Sequence, residues 1–335
     1  MIQRSERKAW AREHFRGFEN VLIPSFSADM QDLNEEAIRL DVRQGIAHGF
    51  FSSLVALESG MRPEEQRRML KIACDEADGK TGISLSLCGE TLADNIAMLE
   101  YAESVGASHA LLCYPQNFRP GSQAEIVDFV TALAGATNLG LVLFASDKFS
   151  LRHLHPSGVP FDAYEQLADV SNVVGLKLGG MDAGMILECF ERFNDRLMVT
   201  SVNFGMLPML VQNFDLQWSG AWTVEALQSP AQPYAVSFLE HLRRGEMEKA
   251  MAIYWKLTPV LGAMAQVMAP AIPTGTYNWS LCKYQQWLSG GNGGMTRQPC
   301  MRVYQRDMTT VRRGLAQVGI ECPDDDADFF RGRVQ

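Results

Sequence analysis

Eight times along this chain a short β-rich run is followed by an amphipathic stretch, an alternation that builds a parallel sheet whose strands are joined by crossover helices. The runs cover Asn20–Phe26, Phe50–Ala56, Gly82–Cys88, Ala107–Tyr114, Leu139–Ala145, Val173–Leu178, Leu197–Val202 and Leu216–Trp222. Helical periodicity predicts helices over Glu35–His48, Pro63–Ala77, Leu92–Val105, Gln123–Ala134, Phe161–Val170, Ala183–Phe193 and near Met206–Asn213. In the third of these, Ile96, Leu99, Ala102 and Val105 share one face while Asp94, Glu100 and Glu103 take the other, and Gly106 closes the helix. Helices over Tyr234–Arg243 and Met247–Leu261 follow, and a Pro- and Gly-rich region after Ala269 leads into more, the last near Met308–Gln317. A doubly wound open sheet shows the same alternation, but eight near-equal units with no GxGxxG turn favour closure into a (β/α)8 barrel. The expected layout is a helical lead-in over residues 1–16, a barrel over 17–245 and a C-terminal helical segment over 246–335 packed on it.

With 335 residues, 47% of them hydrophobic and 21% charged, the chain can bury a large core. A net charge of -9 argues against nucleic acid and anionic membrane as partners, because both need clustered Lys and Arg. The N-terminal segment MIQRSERKAWAREHFRGFEN is charged and lacks the apolar core of a secretory signal, and no run of about 18 apolar residues follows, so a cytoplasmic location is expected. The seven cysteines are scattered without CxxC spacing, which suits free thiols rather than zinc or a disulfide framework. Asp324, Asp325 and Asp326 follow Pro323 and read as a solvated tail, and no metal is expected. Met181, Met185, Met198, Met206 and Met209 read as flexible apolar filling.

In such barrels chemistry gathers at the carboxyl ends of the strands. That rule selects Pro24, Ser25, Ser52, Ser53, Glu58, Tyr114, Gln116, Asn117, Ser146, Lys177, Ser201, Asn203 and the stretch Trp218–Trp222. Lys177 stands apart, because it interrupts the apolar run Val173-Val174-Gly175-Leu176-Lys177-Leu178. Desolvation lowers an amine's pKa, so a lysine there can be a neutral nucleophile that attacks a ketone. Alternatively its ammonium reaches solvent at the barrel mouth or pairs with a carboxylate. Two-residue alternation sends Trp218, Gly220 and Trp222 to one face. Inward, they narrow the mouth and favour a substrate with an aromatic or hydrophobic tail; outward, they pack under helices.

The stretch VVGLKLGGMD resembles the sixth-strand signature of the N-acetylneuraminate lyase and dihydrodipicolinate synthase superfamily, and the order of elements is similar from about Gly17 to Gly319. Within it the chain most resembles the trans-o-hydroxybenzylidenepyruvate hydratase-aldolases. Leu22-Ile23-Pro24-Ser25 is similar to that branch's first strand, and Phe144-Ala145-Ser146 stands where it has Tyr-Ala-Asn. Trp218-Ser219-Gly220-Ala221 is similar to its last strand, and Tyr277-Asn278-Trp279 with Lys283 to its post-barrel helix. Gln298-Pro299-Cys300-Met301-Arg302 resembles its Gly-Pro-Cys-Arg-Pro turn.

The resemblance implies that Lys177 condenses with the keto group of pyruvate or a 2-keto acid, with no cofactor beyond this covalent lysine–substrate imine, and that the chain forms a homo-oligomer, dimer or tetramer. The family's Gly-Thr-Thr-Gly-Glu carboxylate loop is missing, Ser52, Ser53 and Glu58 being the residues in its region, and Phe144 occupies the place of the family's proton-relaying Tyr. Gln116 and Asn117 replace the Tyr pair that follows the fourth strand's proline. Tyr114 either reaches the site as a displaced phenol or packs as a wall aromatic; His153 and His155 either supply acid–base chemistry or are exposed loop histidines. Three functions remain open: an aldolase or hydratase-aldolase, a dehydratase with another proton relay, and a barrel without catalysis that serves binding or assembly.

Overall fold

A computed structural model describes residues 2–220, 224–270, 276–298 and 300–334. The fold is a (β/α)8 barrel with added C-terminal helices. Its strands are β1 (Gly17–Leu22), β2 (Ser52–Val55), β3 (Gly82–Leu87), β4 (His109–Leu112), β5 (Gly140–Ala145), β6 (Val173–Leu178), β7 (Met198–Ser201) and β8 (Trp218–Ser219), in the order β7-β6-β5-β4-β3-β2-β1-β8. They are buried almost throughout, which is why β5 reads as a continuous apolar run, and β6 as one broken only by Lys177, rather than as an alternation.

Two strands depart most from expectation. The first begins at Gly17 and stops at Leu22, because Pro24 brings no N–H to a ladder and Phe26 instead bridges antiparallel to Leu33. The eighth is only two residues long, and Ala221 and Trp222, read as its continuation, lie outside the described residues, as does Pro299. At β7 and β8, the ends of the order, side chains take over: Thr200 Oγ1 donates to Trp218 O at 2.6 Å, Ser219 Oγ to Ser201 O at 3.0 Å and Trp218 Nε1 to Met198 O at 3.1 Å.

The elements group into two compact units. Met1–Arg16 with Ile83–Gly220 carries α1 (Arg7–His14), α4 (Leu92–Ser104), α5 (Gln123–Ala136), α6 (Phe161–Leu167), α7 (Ala183–Phe193) and α8 (Leu207–Phe214). Side-chain caps start two of these helices, with Thr91 accepting from Asp94 N and Asp182 from Met185 N. The charged lead-in has a structural use here. Arg4 donates to Gly135 O and Thr137 O, Arg7 to Asn138 O, Lys8 to Ala168 O and Arg12 to Asp195 O. Four cations thus cover the carbonyl-rich ends of α5, α6 and α7.

Gly17–Gly82 with Ala221–Gln335 carries α2 (Glu35–Ala47), α3 (Pro63–Ala77), α9 (Tyr234–Arg243), α10 (Met247–Met268), α11 (Trp279–Leu288), α12 (Gln305–Gln317) and α13 (Ala327–Arg331). α10 runs seven residues past its expected end at Leu261. The acidic tail is solvated only in part: Asp326 accepts from Tyr284 Oη at 2.7 Å and pairs with Arg312, while Phe329 is buried against Tyr284 and Trp287. Asp324 and Asp325 remain exposed. Among the described residues no helix is long and apolar enough to cross a membrane.

Candidate active site

Lys177 is the fifth of six residues in β6, paired in register with Phe144 of β5 and Thr200 of β7. It is buried, at 5% exposure, with its ammonium 5.7 Å from the Phe144 ring centroid. Gly179 is what admits that ring: a Cβ there would lie 2.9 Å from Phe144 Cε2. Phe149, in the loop after β5, closes on Phe144 edge-to-face at 5.5 Å. An amine in these surroundings faces an aromatic quadrupole that favours cationic forms such as an ammonium or iminium.

Tyr114 follows β4 and is sealed in an aromatic cluster, stacked on Phe118 at 5.4 Å and edge-on to Phe149 at 5.1 Å. Its phenol bonds with that of Tyr164, which also donates to Phe144 O at 3.2 Å, and burial pushes both phenols well above the ordinary tyrosine range. The phenol is thus packed and hydrogen-bonded within the aromatic cluster. Gln116 and Asn117 are exposed in the turn beyond. Ser146 Oγ caps the next turn by accepting from Lys148 N at 3.4 Å. His153 clasps the neighbouring loop, its ring nitrogens against Ser150 O and Pro120 O, and His155 bonds Ser157 Oγ at 2.8 Å with its ring on Phe161. Ser201 Oγ accepts from Asn203 N, and Gly220 is buried beyond β8.

Trp218 requires a correction. Its ring lies 5.1 Å from Phe15, which itself lies 4.5 Å from His109, and its indole N–H donates to the first residue of β7. Because His109 opens β4 and Met198 opens β7, Trp218 packs at the amino ends of the strands and lines no mouth.

In the second unit the two serines of β2 part company. Ser53 Oγ donates to Asn20 Oδ1 at 2.5 Å, and both face Gly45 of α2, where a Cβ would lie 2.9 Å from that hydroxyl. Ser53 therefore belongs to the helix layer, and alternation sends Ser52 to the opposite face. Ser52 Oγ is buried without a hydrogen-bond partner among the described residues. Ser25 is spent: it accepts from Lys283 Nζ at 2.7 Å and from Asn292 Nδ2 at 3.4 Å, and donates to Asp41 at 3.5 Å. Glu58 is half-buried in the turn after β2.

Sequence reasoning missed a polar network in this unit. Glu225 Oε1 accepts from Asn20 Nδ2 at 2.6 Å and Gln286 Nε2 at 3.1 Å, and burial, reinforced by the charge of Asp41, pushes its carboxyl up to about 7. Burial likewise lowers Lys283 to about 8 against the opposing pull of Asp41, and lowers His48 to about 4. The one available signal was a carboxylate set in the apolar context Trp222-Thr223-Val224-Glu225-Ala226-Leu227. Among the described residues no group of three His, Cys, Asp or Glu is arranged to hold a metal.

Comparison with known proteins places this geometry in context. Residues 15–317 match the Dihydrodipicolinate synthetase family. A curated relative, the 4-hydroxy-tetrahydrodipicolinate synthase of Methanopyrus kandleri, is 23% identical over 305 residues, covering 90% of this chain and 95% of that protein. Among solved structures, dihydrodipicolinate synthase from Aquifex aeolicus superposes with a TM-score of 0.75 at 17% identity, covering 92% of this chain and 100% of the other. N-acetylneuraminate lyase from Fusobacterium nucleatum does so with a TM-score of 0.73 at 15% identity, covering 91% and 99%.

Proposed function

Because the chain belongs to the dihydrodipicolinate synthetase family, we propose that it is a Schiff-base-forming lyase that acts through Lys177 on pyruvate or a 2-keto acid adduct. The observation that carries this reading is the buried amine at the carboxyl end of β6, held against Phe144. The Lys177 nitrogen adds to the keto carbon and water leaves, giving an iminium. Cleavage of the adjacent bond sends its electron pair into the iminium, forming an enamine. Protonation and hydrolysis then release the keto acid and restore the amine.

Aldolase or hydratase-aldolase chemistry is the preferred subclass, on the resemblance of Leu22–Ser25 and Phe144–Ser146 to that branch. Phe144 favours a second reading, a dehydratase with its own relay, since a phenyl ring moves no proton. The aromatic or hydrophobic substrate tail first ascribed to Trp218 rests instead on Phe144 and Phe149. A homo-oligomer is the proposed assembly, checked by light scattering against the 37.3 kDa chain mass.

The test is borohydride reduction with pyruvate and a panel of 2-keto acids, read by intact mass. Wild type is expected to gain the reduced adduct and Lys177→Ala to gain none. Equal capture by Lys177→Ala would sink the assignment, and a wild type that captures no keto acid would leave a binding barrel.

A further inference from the structure

On the helix-facing side of β1 the second unit holds a partly open cavity of about 10 Å3, room for one water-sized body. Asn20, Asp41, Gln44, His48, Glu225 and Gln286 supply its polar lining. The donors of three of these are directed elsewhere: Asn20 and Gln286 donate to Glu225 Oε1, Gln286 also to Val21 O, and the His48 ring to the Ser289 backbone. Glu225 itself is 4% exposed, and its Oε2 has no hydrogen-bond partner among the described residues.

The charges nearby do not offset it. Lys283 and Arg333 act on Asp41, the bonds Glu225 receives come from neutral amides, and the charged group that bears on it is Asp41, of its own sign. A buried carboxylate with an open oxygen is costly unless a proton or a cation sits on it. We propose that the cavity is a site for one desolvated monovalent cation of about a water's size, of the potassium or ammonium class, held by Glu225 Oε2. A magnesium ion keeps several of its waters and does not fit a space for one.

Protons compete for the same oxygen, so binding weakens toward acid. The groups facing Glu225 are Asp41 and His48 from α2 and Cys282 from α11; the Cys282 thiol is held protonated by burial, and His48 is neutral above about 4.

The test uses the whole chain with potassium as the probe. At pH 8.5 and fixed ionic strength, melting in KCl is expected to exceed that in tetramethylammonium chloride by roughly 1–2 °C, the shift expected for about 1 kcal/mol of ligand linkage in a chain of 335 residues. Glu225→Gln, neutral and isosteric, is expected to erase the difference, as is pH 5.5. Crystals of wild type soaked in thallium(I), a potassium stand-in, are expected to show an anomalous peak in the cavity, and this arm decides alone if Glu225→Gln does not fold. A cavity without thallium, or a potassium shift that persists in Glu225→Gln, overturns the proposal.

Discussion

The Lys177 ammonium lies 5.7 Å from the ring centroid of Phe144, its register partner on the neighbouring strand. Phe144, where the family resemblance puts a phenol, thus faces the amine with nothing that ionises. Gly179 leaves room at the far edge of the ring, where Cζ is 3.2 Å from the place a Cβ would occupy. Phe144→Tyr is therefore expected to fit and to raise keto-acid turnover at least tenfold, toward the 10²- to 10⁴-fold typical of acid–base assistance. Steady-state rates on the keto-acid panel check it, with borohydride capture as control. Unchanged rates with intact capture would show a pocket that runs on its own relay.

Gly179 and Gly180 give a paired test of how rigid this wall is. A Cβ at Gly179 meets the Phe144 ring at 2.9 Å, whereas one at Gly180 meets only Met185 Cε, the end of a flexible side chain, at 2.8 Å. Gly179→Ala is expected to cost about 1–3 kcal/mol and Gly180→Ala under about 1 kcal/mol. Urea titration of both proteins checks the order; equal losses would contradict it.

Arg297 joins the segment after α11 to α3 through a two-pronged pair with Glu65, at 2.6 and 2.9 Å, and its guanidinium stacks 4.1 Å over Phe26. Bonds from Arg297 and Arg62 outweigh burial and hold the Glu65 carboxyl at about 2. Arg297→Ala is expected to cost about 1–3 kcal/mol, Glu65 keeping only its bonds from Arg62. The pair's stabilisation is present above pH 4.5 and fades as pH falls toward 2, so the wild-type advantage in denaturant should shrink across that window. An advantage that stays constant to pH 2 would remove the ion pair as its source.

His48 and Glu225 line one cavity and respond to pH with opposite sign. His48 protonates at about 4 in the fold against 6.5 outside it, so its contribution is complete above pH 6.5 and lost as pH falls through 4. Glu225 ionises at about 7 against 4.5, so its contribution is complete below pH 4.5 and lost as pH rises through 7. Each is worth about 3 kcal/mol across its window, and the two nearly cancel between pH 4.5 and 6.5. In tetramethylammonium buffer Glu225→Gln should gain stability with rising pH over that range, and His48→Gln should lose it. If both variants keep the wild-type slope, the linkage lies elsewhere.

The alternation of runs located all eight strands, and β5 and β6, buried on both faces, left the continuous apolar signature of a parallel strand. Lys177 was legible for the same reason, as the polar break in such a run. Alternation assigns residues to a common face without saying which face it is, or at which end of the barrel a large ring will lie. That is why Ser53 resembled Ser52 until Gly45 set it against α2, and why Trp218 stood open between the barrel mouth and a packed position. Asn20 and Glu225 stand 205 positions apart, and only packing discloses them as partners. The cations of the lead-in were legible as charge, but the backbone carbonyls they bind carry no signal in the sequence.

Those cations also impose an order of events. The hydrogen bonds of Arg4, Arg7, Lys8 and Arg12 reach across 131 to 183 positions, to carbonyls at Gly135, Thr137, Asn138, Ala168 and Asp195. At translation speeds of about 5–20 residues per second, α1 leaves the ribosome roughly 10–40 s before the last of these carbonyls exists. During that interval its cations stay solvated beside emerging apolar strands. The segment can therefore act as a clasp only after the βα units it spans are complete.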